Sequence, residues 1–281
     1  MNAPVTTTGV RAGPRRPGVR RRTSPRGALA AFLRGTAGAA LLALAFEVFA
    51  RLELVDPRLL PPAGVILGEA LRLLVDPAFL VEVWATLVAV LGGVALATAI
   101  AVPLGVLIGS YRLAALGLTP IIDSLRSVPG IAIIPLLVLV MGQGLPMKVT
   151  IVAFVAVWPL LFNTVYGVRG VDPVAMETAR AFRVPVPRTW WRVVLPSALP
   201  LMLTGLRLAL ATGLTVGIAA EIAVGTRDGV GYFILRASYA GFHADTVFAA
   251  VTLAGVLGYL MNGITVAVTN RLVVWDGKGP S

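Results

Sequence analysis

An all-α, polytopic membrane protein with about six transmembrane helices is the fold class this sequence predicts. Three observations carry it. First, 57% of the 281 residues are hydrophobic and only 13% are charged, about half the charged share of a soluble domain. Second, apolar runs of roughly twenty residues, the length a bilayer-crossing helix needs, recur along the chain. Third, Lys and Arg concentrate in the N-terminal segment, with eight arginines, and in the single loop 168–196, with five, segments that the positive-inside rule places on one side of the membrane.

Residues 1–34 come first. Eight arginines precede the first acidic residue, Glu47, and seven of them lie between Arg11 and Arg26 among Pro, Gly, Ser and Thr. That composition predicts a disordered basic tail, held on the cytoplasmic side where anionic lipid attracts it. The net charge of +11 therefore points to membrane lipid and away from nucleic acid. A cleaved signal peptide is the competing reading. The run 35–55 is longer than a signal core and ends in no clear small-x-small site.

The transmembrane domain is expected over 35–270. Its spans are read at 35–55, 84–109, 118–142, 148–167, 197–224 and 246–270. An extramembrane stretch separates the first two and holds a short amphipathic helix, roughly Ala63 to Val75. The connection 110–117 reads as a tight loop, 168–196 as a long basic loop, and 271–281 as a C-terminal tail. With the N-terminus inside, the inner segments hold sixteen Lys and Arg and the outer ones six. Both termini and the basic loop are then cytoplasmic. Gly105-x-x-x-Gly109 and Gly213-x-x-x-Gly217 have the spacing that lets helices approach closely in lipid.

The basic loop reads as helix, turn, helix. Asp172 is an N-cap and Pro173 occupies the first helical position. Val174, Ala175, Ala179 and Phe182 oppose Glu177 and Arg180, which gives one short amphipathic helix. Pro185 and Pro187 stop it, Thr189 caps the next segment, Trp190 and Trp191 suit the membrane boundary, and Pro196 and Pro200 break the approach to the fifth span. Such a loop can grip a soluble partner, or it can be a connector made basic by topology alone.

Several chemistries are excluded. With no cysteine there are no disulfides or thiolate metal sites. One histidine, His243, cannot build a His-rich centre. No phosphate-binding G-x-x-x-x-G-K-[ST] occurs. Ionisable groups within spans are costly and so are candidates for function. Asp123 and Arg126, three apart, can pair on one helix face, as an internal ion pair or as the lining of a path for a polar or anionic solute. Arg207 and Glu221 lie about 21 Å apart along the fifth span, too far to pair. Glu221 needs another partner or water, and serves either as a structural hydrogen-bonding group or in a gate.

Residues 177–206 resemble the E-A-A loop of ABC importer permeases. Glu177, Ala179, Leu195 and Pro196 match that pattern. Thr178 stands for its first Ala. Arg183 stands where the family has a Gly in left-handed conformation, so the turn must close around Arg183 or be ended by the prolines that follow. The likeness covers about 60–270. It is nearest the nitrate, sulfonate and taurine-type branch, through Pro120–Pro129 with Ala132 and Pro135, Asn163–Gly167, Thr204–Leu208 and Ala220-Glu221. It implies a permease of a prokaryotic cell membrane, paired with a second permease copy, two ABC ATPase subunits and an extracytoplasmic substrate-binding protein. It implies no cofactor on this chain, because the partner ATPase uses the ATP. It assigns coupling to the 172–192 loop, with Glu177, Thr178, Ala179, Arg180, Phe182 and Arg183, and import as the direction. Asp123, Arg126, Arg207 and Glu221 are the path candidates. A stand-alone secondary transporter is the alternative, although no repeat relates 30–140 to 145–270. A membrane enzyme would need a polar cleft for which the spans offer too few groups.

Overall fold

The computed structural model describes residues 25–273, except 53, 57 and 240–242, with side chains from residue 37 onward, 39 excepted. Residues 1–24 of the tail expected over 1–34, and most of 271–281, lie outside the described residues. The chain divides into two units, Met1–Leu42 with Ser281, and Ala43–Pro280. The second unit holds the packed helical core.

Eleven helices and one π turn make up the described residues. The first, α1, runs Pro25–Arg51. It starts well before residue 35, so part of the expected tail is helical, and it stops short of residue 55. The amphipathic α2 spans Ala63–Leu73 and buries Ile66, Ala70 and Leu73, as its apolar stripe predicts. It packs on a cluster with Phe79, Phe233 and Ala249.

The long α3 covers Pro77–Ser110. Its start is an Asp-Pro pair: Ala78 N–H donates to Asp76 Oδ1 at 3.0 Å, and Pro77 sits where its missing N–H costs nothing. Only Tyr111 separates α3 from α4, Arg112–Arg126, so the loop expected at 110–117 is mostly helix.

The third expected span is broken. After α4 the chain turns through 86° into α5, Gly130–Met141. The cause is Pro129. It has no N–H to give the preceding turn, and it pushes Val128 out of helical conformation. At twelve residues, α5 is about 18 Å long and cannot cross a bilayer alone. Gly142, at φ +74, ends it.

α6, Leu145–Arg169, packs along α3 through small residues. A Cβ on Gly105 would meet Thr164, and one on Gly109 would meet Val168. On α9, Leu195–Val224, Gly213 and Gly217 face Val152 of α6 and Val90 of α3. Both G-x-x-x-G pairs thus serve packing within one chain, where close backbone approach replaces hydrophobic driving force. The resulting core joins Val90, Val94, Ala97, Val152, Ala156 and Ala209.

The connection after α9 contains a further helix, α10 (Val230–Tyr239), before α11 (Ala244–Leu272). His243 is exposed at the N-cap of α11 and makes no capping hydrogen bond. Among the described residues, four helical stretches are long and apolar enough to cross a membrane, or five if α4 and α5 count as one bent span. The expected total of six is thus approximate: α1 carries the first expected span, and the third is bent.

Candidate coupling surface and charged groups of the spans

The expected coupling helix is α7, Pro173–Ala181. Asp172 caps it as predicted, accepting from Val174 N–H at 2.9 Å. Its inward face buries Ala179. Met176 packs with Val168, Val194 and Ala198, where α6 ends and the rod leading into α9 begins. Glu177, Thr178, Arg180 and Arg183 are exposed, and Phe182 leaves 79% of its surface uncovered. Val174 and Val186 are also mostly exposed. The structure thus brings five of the six predicted coupling residues onto one uncovered surface and uses the sixth, Ala179, as the anchor.

The end of α7 corrects the sequence reading. Pro185 and Pro187 do not stop this helix, because it closes before them. Arg183 takes the left-handed conformation, φ +50. Val184 N–H donates to Ala179 O and Arg183 N–H to Arg180 O, both at 2.9 Å. These two bonds define a Schellman motif, and the usual occupant of its left-handed position is Gly. Arg183 makes the same turn with a side chain, at a cost of about 1 kcal/mol.

The prolines instead begin the next rod. Pro185 is the N-cap of α8, Val186–Thr189, and Pro187 lies in its first turn. Thr189 is not a cap. Its hydroxyl bonds back to Pro185 O at 3.3 Å and it is buried. A π turn follows over Trp190–Val194, in which Leu195 N–H donates to Trp190 O. Helix then continues through Pro196 and Pro200 to Val224. Neither proline breaks it. The extra residue in the π turn shifts the bonding register just where Pro196 has no N–H to give, and Pro200 is absorbed in an unbroken rod. The span and its N-terminal extension form one rod of 39 residues. On the other side, Arg169 Nη2 donates to Ile108 O at 3.3 Å, tying the C-terminal ends of α6 and α3. The exposed surface of α7 therefore hangs between two stiff helices.

The charges of the spans fall into three groups. Asp123 and Arg126 pair at 3.0 Å, as their spacing predicts, but both side chains are about half exposed. The Arg126 guanidinium also lies 5.1 Å from the Phe162 ring centre. Arg207 is exposed, and no carboxylate pairs with it among the described residues. An unpaired arginine in mid-span costs about 3 kcal/mol against lipid.

Glu221 belongs to a buried cluster that the sequence reading did not assemble. Lys148 Nζ lies 3.3 Å from Glu221 Oε1 and 2.9 Å from Asp228 Oδ1. It also donates to Asp228 O at 3.2 Å. The Thr86 hydroxyl lies 3.0 Å from both Glu221 oxygens, and Gly231 N–H donates to Oε2 at 2.9 Å. Thr86 in turn accepts from Val230 N–H, and Glu82 accepts from Gly229 N–H. Lys148 and Glu221 are each 1% exposed. A Cβ on Gly229, whose φ is +112, would strike the Glu221 carboxylate, and one on Gly231 would strike Ile218 O. The cluster sews the turn 226–231 onto α3, α6 and α9. It gives Glu221 the partner it needed, 73 residues away in sequence. One signal was available: Lys148 also sits in an apolar run, and the cost that singled out Glu221 applies to it equally.

The comparisons agree with this geometry. Residues 101–274 match the family described as "Binding-protein-dependent transport system inner membrane component". The taurine transport system permease protein TauC of Escherichia coli (strain K12) is 30% identical over 85% of this chain and 88% of that protein. The bicarbonate transport system permease protein CmpB of Synechococcus elongatus is 32% identical over 68% of this chain and 66% of its own length. A chain of the MetNI methionine ABC transporter, solved in inward-facing conformations, superposes with a TM-score of 0.60 at 21% identity, over 68% of this chain and 94% of that one. A multi-pass helical permease of a prokaryotic plasma membrane is the class that fold and matches define. The chain belongs to the binding-protein-dependent transport family, as an ABC importer permease that works with separate ATPase subunits and is not itself an enzyme.

Proposed function

We propose that this chain forms the translocation path for a small polar solute of the nitrate, sulfonate or taurine kind, and that it is driven through α7 and the turn at Arg183. The observation that carries the reading is that surface: Glu177, Thr178, Arg180, Phe182 and Arg183 uncovered on a capped helix held between two rods. A phenylalanine left 79% exposed beside alternating charges fits the groove of a soluble partner better than it fits water.

The complex holds two such permeases, two ATPase subunits and an extracytoplasmic binding protein, with both termini of this chain cytoplasmic. ATP stays on the ATPases, and no cofactor is needed here. Closure of the ATPase pair draws the two α7 helices together, and the stiff spans convert that movement into outward opening. This is domain motion biased by a ligand that favours one state. The path takes Arg207 and the Asp123–Arg126 pair as its polar lining, while Glu221, locked to Lys148, closes its outer end. Taurine and bicarbonate, named for two relatives, fit this solute class.

The test is purification of the detergent-solubilised protein from its own cells, with mass spectrometry of what accompanies it. One ATPase copy per permease is the expected result, and a co-purified binding protein would then name the solute. Recovery of the chain alone, under conditions that keep other ABC complexes together, would favour a stand-alone transporter.

A further inference from the structure

α9 has two opposed faces. Gly205, Ala209, Gly213 and Gly217, at every fourth position, are buried. Half a turn away, Thr204, Arg207, Ala211 and Thr215 recur at spacings of three and four and are all exposed. Residues so spaced share one face of a helix. The uncovered face of α11 is different, and carries Val256, Leu260, Ile264 and Val268. That composition suits lipid. The α9 face, with hydroxyls, a small residue and a guanidinium, does not.

Depth sharpens the contrast. Leu195–Val224 has 30 residues, about 45 Å, and Arg207 lies about 18 Å from its inner end. The hydrocarbon core is about 30 Å thick. Whichever 30 Å of the helix lies in hydrocarbon, Arg207 is within it. The other charges of the spans are spoken for: Arg126 by Asp123, Lys148 by Glu221 and Asp228, and Glu82 by Gly229 N–H. Arg207 alone among these has no partner of any kind among the described residues.

We infer that Arg207 is a charge-selecting residue, set on an aqueous face of α9 to admit small anions and repel cations. The inference rests on the reading of this chain as a permease and deepens it. Paired N–H donors of a guanidinium suit the oxyanion head of a sulfonate, carboxylate or nitrate. With the Thr204 and Thr215 hydroxyls each donating to their own helix, the face keeps only weak acceptors beside the cation. If two copies face one path, each supplies one guanidinium.

The chain has no cysteine, so single thiols can be read without background. Thr204→Cys and Ala211→Cys, each in the full-length chain in native membrane vesicles, are treated with two water-soluble methanethiosulfonates. One is anionic (sulfonatoethyl) and one cationic (trimethylammonioethyl), and rates are normalised to a free thiol. Both positions should label, with the anionic reagent favoured at least about tenfold, as expected for one charge within several ångströms in a partly screened site. Arg207→Gln should bring the ratio near one, and Arg207→Lys should keep most of it. No labelling by either reagent would mean the face is covered by lipid or protein, and would overturn the inference. So would a ratio unmoved by Arg207→Gln. Co-purification of an ATPase tests the permease reading separately, so failure of one is not failure of the other.

Discussion

The two ends of this molecule treat polar groups in opposite ways. At the end that the proposed topology makes outer, Lys148, Glu221 and Thr86 are buried, and each is satisfied within the chain. At the end it makes inner, Glu177, Arg180, Phe182 and Arg183 are left uncovered on a helix held rigidly at both ends. A closed network stabilises the fold and offers nothing to a partner. An open surface contributes little to the fold and is available for binding. The family assignment fits this division, because an ABC importer permease takes its energy from a separate ATPase subunit.

The contrast can be broken most severely at the outer end. Lys148→Met strips the cation from a buried carboxylate, and loss of one partner of a buried pair costs about 3–5 kcal/mol. The expected outcome is a large drop in the thermal unfolding midpoint of the detergent-solubilised protein. Lys148→Met combined with Glu221→Gln should recover part of it, because the one carboxylate then left without its cation, Asp228, is half exposed. A single mutant as stable as the wild type would remove the cluster from the account.

Gly229→Ala comes next. Its Cβ would meet the Glu221 carboxylate at a backbone conformation that side chains rarely adopt. A loss of about 1–3 kcal/mol is expected, from overpacking and backbone strain. The 226–231 turn should also become more open to limited proteolysis, the readout that separates a local effect from a global one.

At the inner end the expected effects on stability are smaller. Arg183→Gly relieves the left-handed strain of the Schellman turn and should stabilise by up to about 1 kcal/mol, less what the freer unfolded chain takes back. An unchanged or lowered midpoint would mean that the Arg183 side chain contributes contacts the exposed turn does not reveal. Smallest of all is Glu177→Lys. An exposed substitution of this kind moves stability by no more than about 0.5 kcal/mol, yet it should uncouple ATP use from transport.

The same division governed what the sequence made legible. Local signals read well. Asp172-Pro173 announced a helix start, and the start is there. The G-x-x-x-G pairs announced close packing, and they pack. Asp123 and Arg126, one helical turn apart, pair as their spacing allows. Proline effects read less well, because a proline's outcome depends on the bonding register around it. Pro129 breaks a span that looked continuous, while Pro196 and Pro200 lie inside a rod that looked broken, carried there by a π turn with no marker of its own. The outer cluster was out of reach for another reason. Lys148 meets Glu221 and Asp228 across 73 and 80 residues. Such pairings are fixed by tertiary packing, which no local pattern encodes. Arg183 lies between the two cases. The departure from the family glycine was visible, but whether the turn would survive it was a matter of about 1 kcal/mol.

The most direct test of the claim that the α7 surface exists for a partner is to damage it without damaging the fold. Phe182→Asp and Glu177→Lys chains would be purified from their own cells beside the wild type, with the unfolding midpoint and the co-purified ATPase measured on the same samples. The account predicts midpoints within a degree or two of wild type, as exposed substitutions allow, and loss of most of the ATPase. Full retention of the ATPase at wild-type stoichiometry by both variants would contradict it.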